Sequence, residues 1–139
     1  KKLPDAASAA GLLHNVGILV LIQNYYGEYI GSLEKAKEEP VDLLQMEREA
    51  FHVTHQETGG YLVSWWELPF PIVEAALFHH RPFESNIVNK ELVACVHIAQ
   101  HYAWIKMKEP IVADFYPETF DILGISADEF EKGIMETLL

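Results

Sequence analysis

The chain has 139 residues, half of them hydrophobic and 22% charged, which fits one globular domain over 1–139 and excludes intrinsic disorder. Seven Phe, six Tyr and three Trp supply bulky core groups, and a lone cysteine, Cys95, excludes an internal disulfide. Ten basic against twenty-one acidic side chains leave a formal charge of -11, so neither nucleic acid nor an anionic membrane surface is an expected partner.

Cys95 lies in the apolar run LVACVHIA and reads as a packed thiol rather than a nucleophile, which points to a reducing, cytoplasmic setting. The longest apolar run near the N-terminus, Val16 to Ile22, is short of the ~20 residues that cross a bilayer, so no membrane span is expected. The chain opens Lys-Lys-Leu-Pro and reads as a piece of a longer polypeptide.

Apolar residues recur at three and four rather than two, the helical period, and Pro and Gly divide the chain into helices with no convincing strand. Asp5 caps a first helix, DAASAAGLLH; His14-Asn15 and Gly17 mark a turn or kink into GILVLIQNYY. From Gly27, EYIGSLEKAKEE is amphipathic, with Tyr29, Ile30 and Leu33 inward, and ends at Pro40. VDLLQMEREAF forms the next helix, and Thr54 with Glu57 makes a capping box for TGGYLVSWWEL. Gly59-Gly60 inside a helix costs about 1 kcal/mol per residue, which calls for a close approach there as compensation. Pro71 suits the first turn of PIVEAALFHH, closed by Arg81-Pro82. KELVACVHIAQHYAWIKM is a long central helix broken at Glu109-Pro110. ETFDIL then ends at Gly124, and Ser126 with Glu129 caps ADEFEKGIMETLL. The expected fold is all-α.

Seven histidines carry chemistry only if several converge. His14, His55 and the pair His79-His80 all sit at helix ends, where side chains from different helices meet in a cleft and can ligate a metal. His97 and His101, an i, i+4 pair, share one face but lack a third ligand, and His52 reads as a solvated or capping residue. Trp65 and Trp66 project about 100° apart on a helix, so one can be buried while the other reaches a partner. Arg81 is a candidate anion contact, with capping of the preceding helix's carbonyls as the blander role.

The runs GLLHNVGILVL, EREAFHVTHQETGGYLVSWWELPFPIVEAALFHHRP, LVACVHIAQHYA and LGISADEFEKGI resemble the HDOD family, the HD-related output domains of bacterial signalling proteins. The likeness runs from about Ala10 onward. Such domains usually begin with further helices, so the resemblance implies the C-terminal portion of a longer domain with an HD-superfamily helical bundle. The wider HD superfamily comprises metal-dependent phosphohydrolases, including cyclic-dinucleotide phosphodiesterases. Carried over position by position, its ligand histidines fall on His14, His55, His79 and His80, while its two aspartates fall on Asn15 and Gln100. The Gly-Tyr-Pro loop of the cyclic-dinucleotide enzymes is missing after His80.

Carboxylates in such a site offset the charge of divalent ions and orient the attacking water; amides do neither well. A two-ion centre is therefore not expected, whereas one divalent transition metal on neutral imidazoles is chemically permissible. The resemblance implies a noncatalytic output domain acting through signalling proteins or attached sensor and receiver domains, with a homo-oligomer also open. A metal-dependent phosphohydrolase is the alternative, and a structural partner-binding fragment a third reading.

Overall fold

A computed structural model describes residues 6–36, 42–108 and 113–137. Among these are nine α-helices and no β-strand: α1 (Ala7–Leu13), α2 (Val16–Asn24), α3 (Tyr26–Ala36), α4 (Leu43–Phe51), α5 (His55–Trp65), α6 (Phe70–Phe78), α7 (Lys90–Met107), α8 (Thr119–Leu123) and α9 (Ala127–Thr137). The all-α architecture is that of an HD-like helical domain. The breaks expected at Asp5, Pro40 and Glu109-Pro110 lie outside the described residues.

Local chemistry fixes most helix ends. Asp42 caps α4 by accepting Gln45 N–H at 2.7 Å. At α5 the Thr54–Glu57 box is closed in both directions, and Arg48 on α4 reaches across to Glu57 at 2.7 Å. A second reciprocal box joins Ser126 and Glu129 ahead of α9, and Gly124 ends α8 with φ +67°, the left-handed conformation glycine adopts without strain. One boundary differs from the expected one, a second helix through Tyr26 and a third from Gly27. The chain breaks at Tyr25, and Gly27 lies inside α3. Tyr25 and Tyr29 both stack on Phe51 of α4, a tertiary contact that a local reading of Pro and Gly does not contain.

Packing centres on α5, which lies against both α2 and α6, while α1 rests on α6 and α7, and α8 covers α7. Ala10, Ile72, Ala75, Leu92 and Val96 form one core cluster; Val63, Val73 and Ala76 form another. Small residues allow the close approach. A Cβ on Gly17 would overlap the His55 carbonyl oxygen and come within 2.6 Å of Gly59 N, so α2 and α5 touch backbone to backbone. Gly60 gives room instead to the Leu77 side chain of α6. The compensation expected for the Gly59-Gly60 pair is this double contact, and Gly17 serves it from within α2 rather than kinking the chain.

The buried carboxylate of Glu74 on α6 accepts Val88 N–H at 2.7 Å, Asn89 N–H at 2.9 Å and the Asn89 side-chain amide at 2.6 Å. It thereby ties the α6–α7 loop to the start of the long helix. The stretch Ala7–Asn24, with mean hydropathy 1.3 over 18 residues, is by length and composition apolar enough to cross a membrane, which the run Val16 to Ile22 alone did not suggest. In this fold a turn at His14-Asn15 divides it, and its second half packs through Gly17 against α5.

Candidate functional site

Three helix ends deliver four imidazoles to one place. His14 is the C-cap of α1, His55 the first residue of α5, His79 the C-cap of α6, and His80 follows it. Ring centroids of His79 lie 4.9 Å from His14, 5.3 Å from His55 and 4.3 Å from His80, and His55 lies 5.0 Å from His80. The rings of His55, His79 and His80 present ligand nitrogens that all fall within 4.8 Å of one another. His55 and His79 are 0% exposed and His80 is 5%. His14 borders the trio rather than completing it.

Hydrogen bonds set which nitrogen of each ring is free. His55 Nδ1 lies 2.8 Å from Glu47 Oε2; that carboxylate also takes His55 backbone N–H at 2.7 Å and Tyr29 O–H at 2.7 Å, so it accepts from every partner. Nδ1 of His55 therefore carries a hydrogen, and in the neutral ring Nε2 keeps the lone pair. His79 Nδ1 faces the carbonyls of Ala75 (2.9 Å) and Ala76 (3.1 Å), and His14 Nδ1 faces the carbonyl of Gly11 (2.8 Å), so both rings donate there and keep Nε2 unprotonated. His14 Nε2 is buried without a hydrogen-bond partner among the described residues, as is Asn15 Oδ1.

Two lone pairs then meet head-on: His55 Nε2 and His79 Nε2 are 3.2 Å apart. A cation relieves that opposition. Burial, and then the neighbouring imidazoles, push His79 well below the usual histidine range, and the same causes carry His80 to about 2, so those two rings hold a proton poorly. A divalent ion suits the spacing, since two metal–nitrogen bonds of about 2.0–2.1 Å at the tetrahedral angle put the nitrogens about 3.3 Å apart. All-imidazole donors select an ion of the zinc class over magnesium or calcium. The residues thus fit one such ion. They do not fit two, because Asn15 and Gln100 offer neutral amides where bridging carboxylates are needed, and Glu47 has spent its oxygens on Tyr29 and His55.

The remaining candidates fall outside the trio. Gln100 Nε2 lies 3.5 Å from His80 Nε2, at the outer limit of a hydrogen bond. His97 spends both ring nitrogens, one on the His79 carbonyl at 2.7 Å and one accepting Tyr116 N–H at 3.1 Å, while His101 stacks on Phe115 at 3.8 Å. His97 is thereby not free to ligate, and His101 is not among the rings whose nitrogens converge. His52 is the exposed, left-handed C-cap of α4. The Arg81 guanidinium is exposed and lies 3.5 Å from Glu84; the helix carbonyl of Phe78 is met by the Arg81 backbone N–H instead. Cys95 is a free thiol that burial pushes up, as a packed cysteine should be.

Both tryptophans reach solvent, Trp65 at 71% and Trp66 at 49% exposure, contrary to the expectation that one would be buried. The helical 100° step does not apply because α5 ends at Trp65 and Trp66 is already its C-cap. Glu47 was not singled out by sequence reasoning, which read VDLLQMEREAF as a helix and assigned its charged residues no role. The available signal was its place in the VDLLQMEREAF stripe, one residue after the buried Met46 and four before Phe51.

The HDOD domain family model matches residues 1–82, a span that holds all four imidazoles, Asn15 and Glu47 but stops short of Gln100. An uncharacterized protein of Treponema pallidum (strain Nichols) is 30% identical over 89 residues, which is 64% of this chain and 17% of that protein. The chain therefore spans less than a fifth of that relative's length. No solved structure matches.

Proposed function

Since the chain belongs to the HDOD domain family, we propose that it is a noncatalytic regulatory domain of bacterial signal transduction, acting by protein–protein contact and steadied by one divalent ion on its imidazoles. The observation that carries this reading is a sealed cluster with amides at both carboxylate positions. His55, His79 and His80 are 5% exposed or less, so a phosphoester has no approach to them. The nearby pocket that His80 and Gln100 line with His101, Trp104 and Asp114 has a cavity volume of about 10 Å³, room for about one water. Substrate pockets run to roughly 300 Å³ and more.

An ion held there would tie the start of α5 to the end of α6 and supply charge to the trio. The contact surface in this reading is aromatic: Tyr61 and Trp65, an i, i+4 pair on α5, and Phe70 at the start of α6 are all exposed. Signalling proteins, attached sensor or receiver domains, or a second copy of the chain are its expected partners, in a cytoplasmic setting. A metal-dependent phosphohydrolase is favoured by one observation, the convergence of the histidines. Incubation with cyclic dinucleotides, nucleoside monophosphates and a simple phosphodiester, in the presence of Zn²⁺, Mn²⁺ or Ni²⁺, tests the choice. Rates equal to the metal-free blank are expected. Turnover above that blank, abolished by His55→Ala or His80→Ala, would replace the regulatory reading with the enzymatic one.

A further inference from the structure

Glu47 is fully buried, and it is the carboxylate that touches the imidazole trio among the described residues. Such burial is costly for a charged group unless its oxygens are well bonded. Here they are, by Tyr29 O–H from α3 and by two N–H groups of one residue, His55. Capping the first turn of α5 requires the bond to His55 backbone N–H alone. The second bond, to the ring, does something else: it fixes a hydrogen on Nδ1 and aims the Nε2 lone pair at His79.

We propose that Glu47 is the positioning residue of the imidazole site, setting the His55 tautomer and lending the negative charge that Asn15 and Gln100 withhold, so that binding of a zinc-class ion depends on it. The proposal rests on the single-ion reading above. A carboxylate behind a ligating histidine raises the basicity of the ring and holds its plane, and loss of such a partner weakens metal binding about 10–100-fold. Tyr29 in turn holds the carboxylate from the far side. Because the two ring–carboxylate partners sit on different helices, α4 and α5, the ion and the α4–α5 junction are coupled through one side chain.

A purely structural Glu47 would lower stability when altered and leave zinc affinity alone. The full chain, stripped with chelator, is titrated with Zn²⁺ against a chromophoric competitor in three forms. Wild type is expected to bind one ion. Glu47→Gln, which keeps the shape and removes the charge, is expected to bind it about 10–100-fold more weakly. Tyr29→Phe, which removes one hydrogen bond to Glu47 but neither its charge nor its contact with His55, is expected to lose stability while keeping affinity within a few-fold. Co²⁺ absorption gives a second readout, expected to shift in Glu47→Gln because the His55 ring is no longer held. If Glu47→Gln does not fold, Glu47→Asp carries the test, its carboxylate drawn back by one methylene, with about a tenfold loss expected. A folded Glu47→Gln or Glu47→Asp that binds Zn²⁺ as wild type does overturns the role of Glu47 and leaves the single-ion reading standing. Failure of wild type to bind Zn²⁺ removes the single-ion reading itself and the proposal with it.

Discussion

His14, His79, His80 and His97 share one electrostatic condition: burial disfavours their charged forms and lowers all four below the ordinary 6.5, with added repulsion from neighbouring imidazoles at each ring. In the unfolded chain these rings protonate near 6.5, so the unfolded state binds more protons below that pH and the folded state is penalised. Their neutral packing is therefore fully available above 6.5 and is lost as pH falls from 6.5 toward each folded value, about 2 for His80. Each such ring contributes up to about 1.4 kcal/mol per pH unit in that window. Denaturant unfolding of the chelator-stripped protein should show midpoints level between pH 7 and 8 and falling steeply from 6.5 to 5; a flat profile across 5 to 8 would mean that the rings are not buried neutral. The positions of His14, His55, His79 and His80 at helix ends were readable from spacing and from Pro and Gly punctuation. Their protonation pattern was not, because it depends on carbonyls of Gly11, Ala75 and Ala76 and on Glu47, whose approach is a product of packing.

The α2–α5 contact shows what helix-level patterning conveys and where it stops. Gly59-Gly60 in a helix demanded a close neighbour, and the capping boxes at Thr54 and Ser126 fixed two helix starts to the residue. The neighbour's identity, Gly17 on one side and Leu77 on the other, is a long-range fact with no local signature. Likewise the break at Tyr25 follows from stacking on Phe51, twenty-six residues away by number. The two glycine contacts make opposite demands on a substituent. Gly17→Ala drives a methyl into the backbone of α5, which cannot yield, and should cost about 3 kcal/mol or more. Gly60→Ala meets only the flexible Leu77 side chain and should cost about 1–2 kcal/mol. Chemical denaturation of the two variants checks the order, and a Gly17→Ala no worse than Gly60→Ala would mean that the helices do not touch as described.

Taken together, the helices bring four histidines close together and put the amides Asn15 and Gln100 where the family resemblance implies carboxylates. The chain's acidity, -11 overall, does not repair this, because surface carboxylates are not at the ion. Glu47 is there, but behind His55 and fully bonded. One ion would satisfy the opposed Nε2 atoms of His55 and His79; a second would find only neutral oxygen from Asn15 or Gln100. In the proposed reading, the exposed Tyr61, Trp65 and Phe70 would be the means of contact and an ion at the imidazole centre would supply rigidity. Elemental analysis of protein saturated with Zn²⁺ and dialysed against a mild chelator measures the centre directly. One zinc per chain, reduced to none in His55→Ala, is the predicted result; two tightly held ions per chain, or none in wild type, would contradict the account.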